Sequence, residues 1–187
     1  MSDISNDLVM KAAHGDMAAF EEIYKAASGF VYNVALRITN SPSDADEVTQ
    51  DVFVKIHKNL RDFGFRSAFK TWIYRITANT ALNHCKSRSR RERGNVEYDP
   101  VVHDIASPDC TVAEGDKEDA EKKVAALLEL LDPDQRACIV LREMEGLDYK
   151  AIAETLKINI NTVRSRLKRA REKLVALTST VLLERKG

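Results

Sequence analysis

Glycine, proline and cysteine are all scarce in this chain of 187 residues, with seven, four and three copies. Little glycine and only short β-branched runs predict a mostly helical protein rather than a strand-and-turn fold. The cysteines, Cys85, Cys110 and Cys138, lie far apart with no C-x-x-C pair. That argues against a disulfide framework or a paired zinc site, and fits a reducing compartment. His84 beside Cys85 is the only adjacent His/Cys pair, and neighbours on a helix diverge by about 100°, so no metal is expected. No stretch approaches the ~18 apolar residues of a membrane span. The opening MSDISNDLVMKAAHGD has no basic region followed by an apolar block, so no secretory signal is expected. The expected location is cytoplasmic, with no direct membrane insertion.

Catalytic signatures are missing too. There is no phosphate-cradling G-x-x-x-x-G-K-[ST], no G-x-G-x-x-G and no nucleophile elbow, and the four histidines are scattered. A binding protein is expected, with no enzyme activity, cofactor or small-molecule substrate.

Net charge is absent as well, with 29 basic and 29 acidic side chains. The balance hides a block pattern. Residues 1–60 carry 5 basic and 9 acidic side chains, and 61–93 carry 9 and 2. Residues 94–135 carry 3 and 12, and 136–187 carry 12 and 6. Two basic blocks each follow an acidic one, which points to a polyanion met at two separate places.

Periodicity divides the chain in the same way. Residues 5–27 carry apolar positions at helical spacing, and Gly29 is expected to break that run. A short helix should follow over 30–39. A third is expected from the cap Ser43 to about Leu60, with Val48, Val52, Phe53 and Ile56 on one face. RDFGFRS reads as a loop and 67–92 as a fourth helix. Residues 94–118, with two Pro, two Gly and many acids, have no period and read as a flexible acidic linker. Helical spacing returns from 119. Asp132-Pro133 marks a helix start and Gly146 a stop. A short helix over 148–156, the turn KIN and a helix over 161–177 make a helix-turn-helix. The expected fold is all-α, with two small helical domains, 1–93 and 119–187, joined by the linker 94–118.

The segment NTVRSRLKRAREKL, 161–174, holds six Lys or Arg and one Glu. On a helical wheel Val163, Leu167, Ala170 and Leu174 fall within about 60° and form the buried stripe. Asn161, Ser165, Lys168, Arg169 and Glu172 lie opposite. Arg164 and Arg171 occupy one flank, Arg166 and Lys173 the other. A major-groove helix needs this layout, with an outward row for base edges and two flanks for phosphates.

YKAIAETLKININTVRSRLKRAREKL closely resembles the promoter-binding C-terminal region of bacterial sigma factors of the extracytoplasmic-function group, within the sigma-70 family. DADEVTQDVFVKIHKNL and FKTWIYRITANTALNHCKSRSRR resemble the same family's N-terminal domain, and the blocks occur in family order around a linker. The resemblance implies a sigma factor that binds core RNA polymerase and directs it to specific promoters. Domain 1–93 would bind polymerase, recognise the −10 element and melt it; domain 119–187 would read the −35 element. The −35 residues would be Asn161, Thr162, Arg164, Ser165, Arg166, Lys168, Arg169, Arg171 and Lys173. Asn161 departs from the glycine common there.

For the −10 element and melting, Phe63, Phe65 and Trp72 would stack on or contact an unpaired base. Arg61, Arg66, Lys70 and Arg75 would supply cations, and Asn79 and Asn83 would read base edges. Phe63 and Phe65, beside Gly64, are the candidates for exposed contact. Ile73 and Ile76 are core, and Trp72 is more core than contact. The helix over 44–60 would dock on polymerase through Asp46, Gln50, Asp51, Val54 and Lys58. Core polymerase, promoter DNA and an anti-sigma factor are the implied partners. Two alternatives stay open: a helix-turn-helix regulator that does not dock on polymerase, and an adaptor that mimics a sigma factor.

Overall fold

The computed structural model describes residues 4–94 and 117–184. The linker expectation for 94–118, and Cys110 within it, fall almost wholly outside them. Every regular element among the described residues is helical.

Polar caps set the helix starts. Ser5 accepts from the Leu8 N–H and opens α1 (Asn6–Ala13). Gly15, at φ +97°, turns the chain. Asp16 then accepts from the Ala19 N–H and opens α2 (Met17–Thr39). The periodic run 5–27 is therefore two helices. Gly29 does not end α2, which runs unbroken through it. Ile23, Ala27, Val31, Val34 and Ile38 carry one buried stripe past it. An isolated helix glycine costs only about 1 kcal/mol, less than the stripe contributes.

Asn40, left-handed at φ 56°, ends α2. The cap of α3 (Pro42–Asn59) is Ser41, not Ser43. Pro42 takes the first helical position, where its missing N–H costs nothing. A 3₁₀ turn, Leu60–Asp62, leads to the loop before α4 (Phe69–Gly94). Helices α1 to α4 pack as one bundle around Ile23, Val48, Ile56 and Ile73, all fully buried.

After α5 (Lys117–Glu129), Asp132 caps α6 (Pro133–Ile139) through the Gln135 N–H, as the Asp-Pro pair predicts. One π turn, Val140–Met144, follows, and Gly146 at φ +71° ends it. Asp148 caps α7 (Tyr149–Leu156). Lys157, at φ 53°, makes the tight turn into α8 (Ile160–Glu184). Both sets of helices feed one continuous apolar cluster.

Candidate nucleic-acid and polymerase interface

The periodicity of α8 translates directly into burial. Val163, Leu167 and Ala170 are buried against α6 and α7, and Leu174 is half-buried. Asn159 Oδ1 accepts from the Asn161 N–H at 2.8 Å, so Asn159 supplies the cap and Asn161 lies inside the first turn. Asn161 Oδ1 accepts from Arg164 at 3.0 Å, and Ser165 donates its hydroxyl to the Asn161 carbonyl. The outward residues Asn161, Ser165, Lys168 and Arg169 are exposed, and Thr162 is half-buried.

The flanking cations differ in freedom. Arg171 pairs with Glu143 at 2.6 Å and is further held by Tyr149, which together raise its pKa. Arg142 lies 5.3 Å over the Tyr149 ring. Half-buried Arg166 meets Asp134 at 3.4 Å. Lys168 and Glu172 form a loose 3.7 Å pair that exposure makes nearly worthless. Arg169 and Lys173 have no charged or hydrogen-bonding partner among the described residues. A polyanion therefore finds Arg169, Lys173 and Lys168 at once, and must displace carboxylates to gain Arg166 and Arg171.

A second basic surface forms where the loop meets α4. Asp62, Phe63, Gly64, Arg66, Ser67, Trp72 and Arg75 line a cavity of about 310 Å³, at the small end of ligand pockets. Phe63 does not have the exposed place expected of it. It is buried, its ring 5.0 Å from Trp72 and 5.3 Å from Phe69. The short loop lets Phe63 reach the core, where its apolar area is worth more than in water. It lines the cavity as a wall. Phe65 is 41% exposed, at φ 51°, with its ring 4.8 Å from Phe63. Among the described residues Arg75 Nε is buried without a hydrogen-bond partner, an unusual cost that leaves a donor beside the cavity. Ile73 is buried and Ile76 half-buried, as core residues should be.

Other members of that expected set lie apart. Arg61 is exposed within the 3₁₀ turn. Lys70 sits over the Phe30 and Tyr74 rings at 5.6 and 5.7 Å, away from the cavity. Asn83 is exposed. Asn79 donates to the carbonyls of Arg75 and Thr155, both at 2.7 Å, so both amide hydrogens are used. Asp62 and Ser67 were not singled out from the sequence, although both sit in the same RDFGFRS loop.

The third surface is the outer face of α3. Asp46, Gln50, Val54 and Lys58 recur every fourth residue and form one exposed ridge with Asp51 beside it. Val54 is 50% exposed. Tyr24 is 46% exposed with its ring 4.6 Å from Phe53, and extends this face onto α2. Periodicity groups Tyr24 with the apolar positions of 5–27 and so gave no sign that its side chain is exposed.

An all-α chain with a helix-turn-helix and a second basic, aromatic cavity is a nucleic-acid-binding protein of the transcription class. Residues 23–91 match the family described as Sigma-70 region 2, and 121–174 that described as Sigma-70, region 4. The chain is 33% identical over 186 residues to the RNA polymerase sigma-H factor of Pseudomonas aeruginosa, covering 95% of each chain. It is 34% identical over 174 residues to the ECF RNA polymerase sigma-E factor of Escherichia coli K12, covering 88% of this chain and 89% of that one. Among solved structures, CnrH in complex with the cytosolic domain of CnrY superposes with a TM-score of 0.64 at 27% identity, covering 95% of this chain and 99% of that one. The chain belongs to the sigma-70 family, in its extracytoplasmic-function group. It is a sigma factor, and it directs RNA polymerase to promoters.

Proposed function

We propose that the three surfaces divide the work of promoter recognition. The observation that carries this division is the occurrence, in one chain, of an aromatic cavity with an unpaired guanidinium donor and a separate basic helix packed as a helix-turn-helix. The proposed boundaries are 1–93 and 119–187, with 94–118 between them, in agreement with the two matched regions.

In this division α8 enters the major groove of the −35 element. Ser165, Lys168 and Arg169 face base edges; Arg164, Arg166, Arg171 and Lys173 face phosphates. Asn161 and Thr162 fix the first turn against the backbone. At the −10 element, Phe65 and the cavity wall of Phe63 and Trp72 take up an unstacked base. Arg61, Arg66 and Arg75 hold its backbone, and Asn83 contacts base edges. Stacking of this kind is worth roughly 1–3 kcal/mol per base. The ridge of Asp46, Gln50, Asp51, Val54 and Lys58 docks on core polymerase. The polymerase performs all the chemistry. An anti-sigma factor is the proposed regulator, supported by the complexed state of the CnrH structure.

Two substitutions separate the surfaces. Val54→Glu should abolish capture of core polymerase and leave duplex binding intact. Arg169→Ala should leave polymerase capture intact and weaken −35 binding. If either variant loses both activities while remaining folded, the division is wrong.

A further inference from the structure

The first turn of α8 carries a side chain whose polar ends are sorted by its neighbours. Asn161 is exposed, on the same outward row as Ser165 and Lys168. Its backbone is fully engaged: the N–H donates to Asn159 Oδ1 at 2.8 Å, and the carbonyl accepts from the Ser165 hydroxyl at 2.7 Å. Its side-chain oxygen accepts from Arg164 Nη1 at 3.0 Å. A guanidinium only donates, so the amide atom facing it has to be the oxygen. The amide nitrogen is therefore turned away from Arg164, and among the described residues its two hydrogens have no partner. Arg164 thus decides which end of Asn161 is free, and that end is a donor only.

Recognition helices touch base edges with their N-terminal residues. A donor held in the first turn selects bases that show acceptors in the major groove. Guanine shows two, N7 and O6. Adenine sets a donor beside its one acceptor, thymine sets a methyl beside its own, and cytosine shows a donor. We infer that Asn161 is a specificity-determining residue of α8: it favours guanine and rejects cytosine at the base met by the first turn, and Arg164 is the residue that orients it. The inference rests on the proposed placement of α8 in the −35 major groove. It deepens the part given there to Asn161, from fixing the first turn to reading a base. Arg164 keeps its remaining N–H groups for a phosphate. A glycine at this position has no side chain to read with, so the preference is a property of this chain's own Asn161.

The test selects duplexes from a library randomised over the −35 element, using core RNA polymerase that carries the full-length chain. The parent should enrich guanine over cytosine by about tenfold at one position. Asn161→Gly should lose that preference there and keep the preferences at the other positions. Asn161→Asp, whose oxygens only accept, should turn the same position towards cytosine or adenine. Arg164→Ala should blur it, because the amide is then free to rotate. Asn159 supplies the cap, so all three variants should keep the helix, which circular dichroism checks. A parent preference that survives Asn161→Gly unaltered overturns the role of Asn161 and leaves α8 as the −35 helix. A loss of affinity for Asn161→Gly that is equal on every sequence overturns it too, since such a loss reports on the helix start and not on a base. A parent with no preference at any −35 position overturns the placement of α8, and the inference with it.

Discussion

Arg136 of α6 donates to the carbonyl of Ile38, 98 positions earlier in the chain, at 3.1 Å. The same guanidinium reaches the Leu131 carbonyl at 2.9 Å and the Glu129 carbonyl at 3.4 Å. It therefore caps the ends of two helices, α2 and α5, whose last carbonyls lack helical donors. Burial lowers its pKa, yet the three acceptors keep it charged. Glu129 and Asp132 nearby also favour the charge, and helix C-termini carry partial negative charge.

Arg136→Ala should consequently destabilise the whole chain, by about 3 kcal/mol, since it strands buried carbonyls and opens a cavity. Urea unfolding measures it. A change under about 0.5 kcal/mol, the range typical of surface sites, would contradict the capping role.

Phe63 and Phe65 should separate sharply. Phe63→Ala should cost about 3–5 kcal/mol in unfolding, as a buried aromatic does. Phe65→Ala should cost under about 1 kcal/mol. It should nevertheless reduce permanganate reactivity of −10 thymines in the polymerase complex, and a pre-melted bubble should restore activity. Normal melting by Phe65→Ala would confine that ring to packing.

On α8, Lys173→Ala should weaken binding to all duplexes alike and flatten the salt slope by about one. Arg169→Ala should cost about 1–3 kcal/mol on the preferred −35 sequence and much less elsewhere. Quantitative binding across salt and sequence distinguishes the two. Equal losses on every sequence would refute the assignment of Arg169 to bases.

Cys138, fully buried, has its thiol pushed up to about 11 by desolvation. The folded pKa is raised, so the neutral thiol's contribution is complete below the unfolded value of about 8.5. It is lost as pH climbs from there towards 11. Against Cys138→Ala, the stability advantage of the parent should therefore shrink between those limits. Unfolding curves at pH 8, 9 and 10 read the trend. An advantage that grows with pH would contradict the buried neutral thiol.

The sequence made one link of the chain of causes visible and concealed another. The stripe Val163, Leu167, Ala170 was legible because a 3.6-residue repeat translates directly into burial, and Asp132-Pro133 because caps act locally. Gly29 misled because tertiary packing on both sides overrides one weak propensity. Ser41 was missed in favour of Ser43, since Pro42 moves the start by two residues. Phe63 looked exposed because loop residues usually are. Its place in the core depends on Phe69 and Trp72 folding back over it. The Glu145, Tyr74 and Arg37 contact joins residues 71 and 108 positions apart. No local pattern encodes such a distance.

The most direct measurement is run-off transcription on genomic DNA with purified core RNA polymerase, with and without the full chain. The account predicts discrete new transcripts whose start sites share −10 and −35 sequences, and their loss with Val54→Glu. Transcripts that stay unchanged at saturating protein, or new ones that persist undiminished with Val54→Glu, would contradict it.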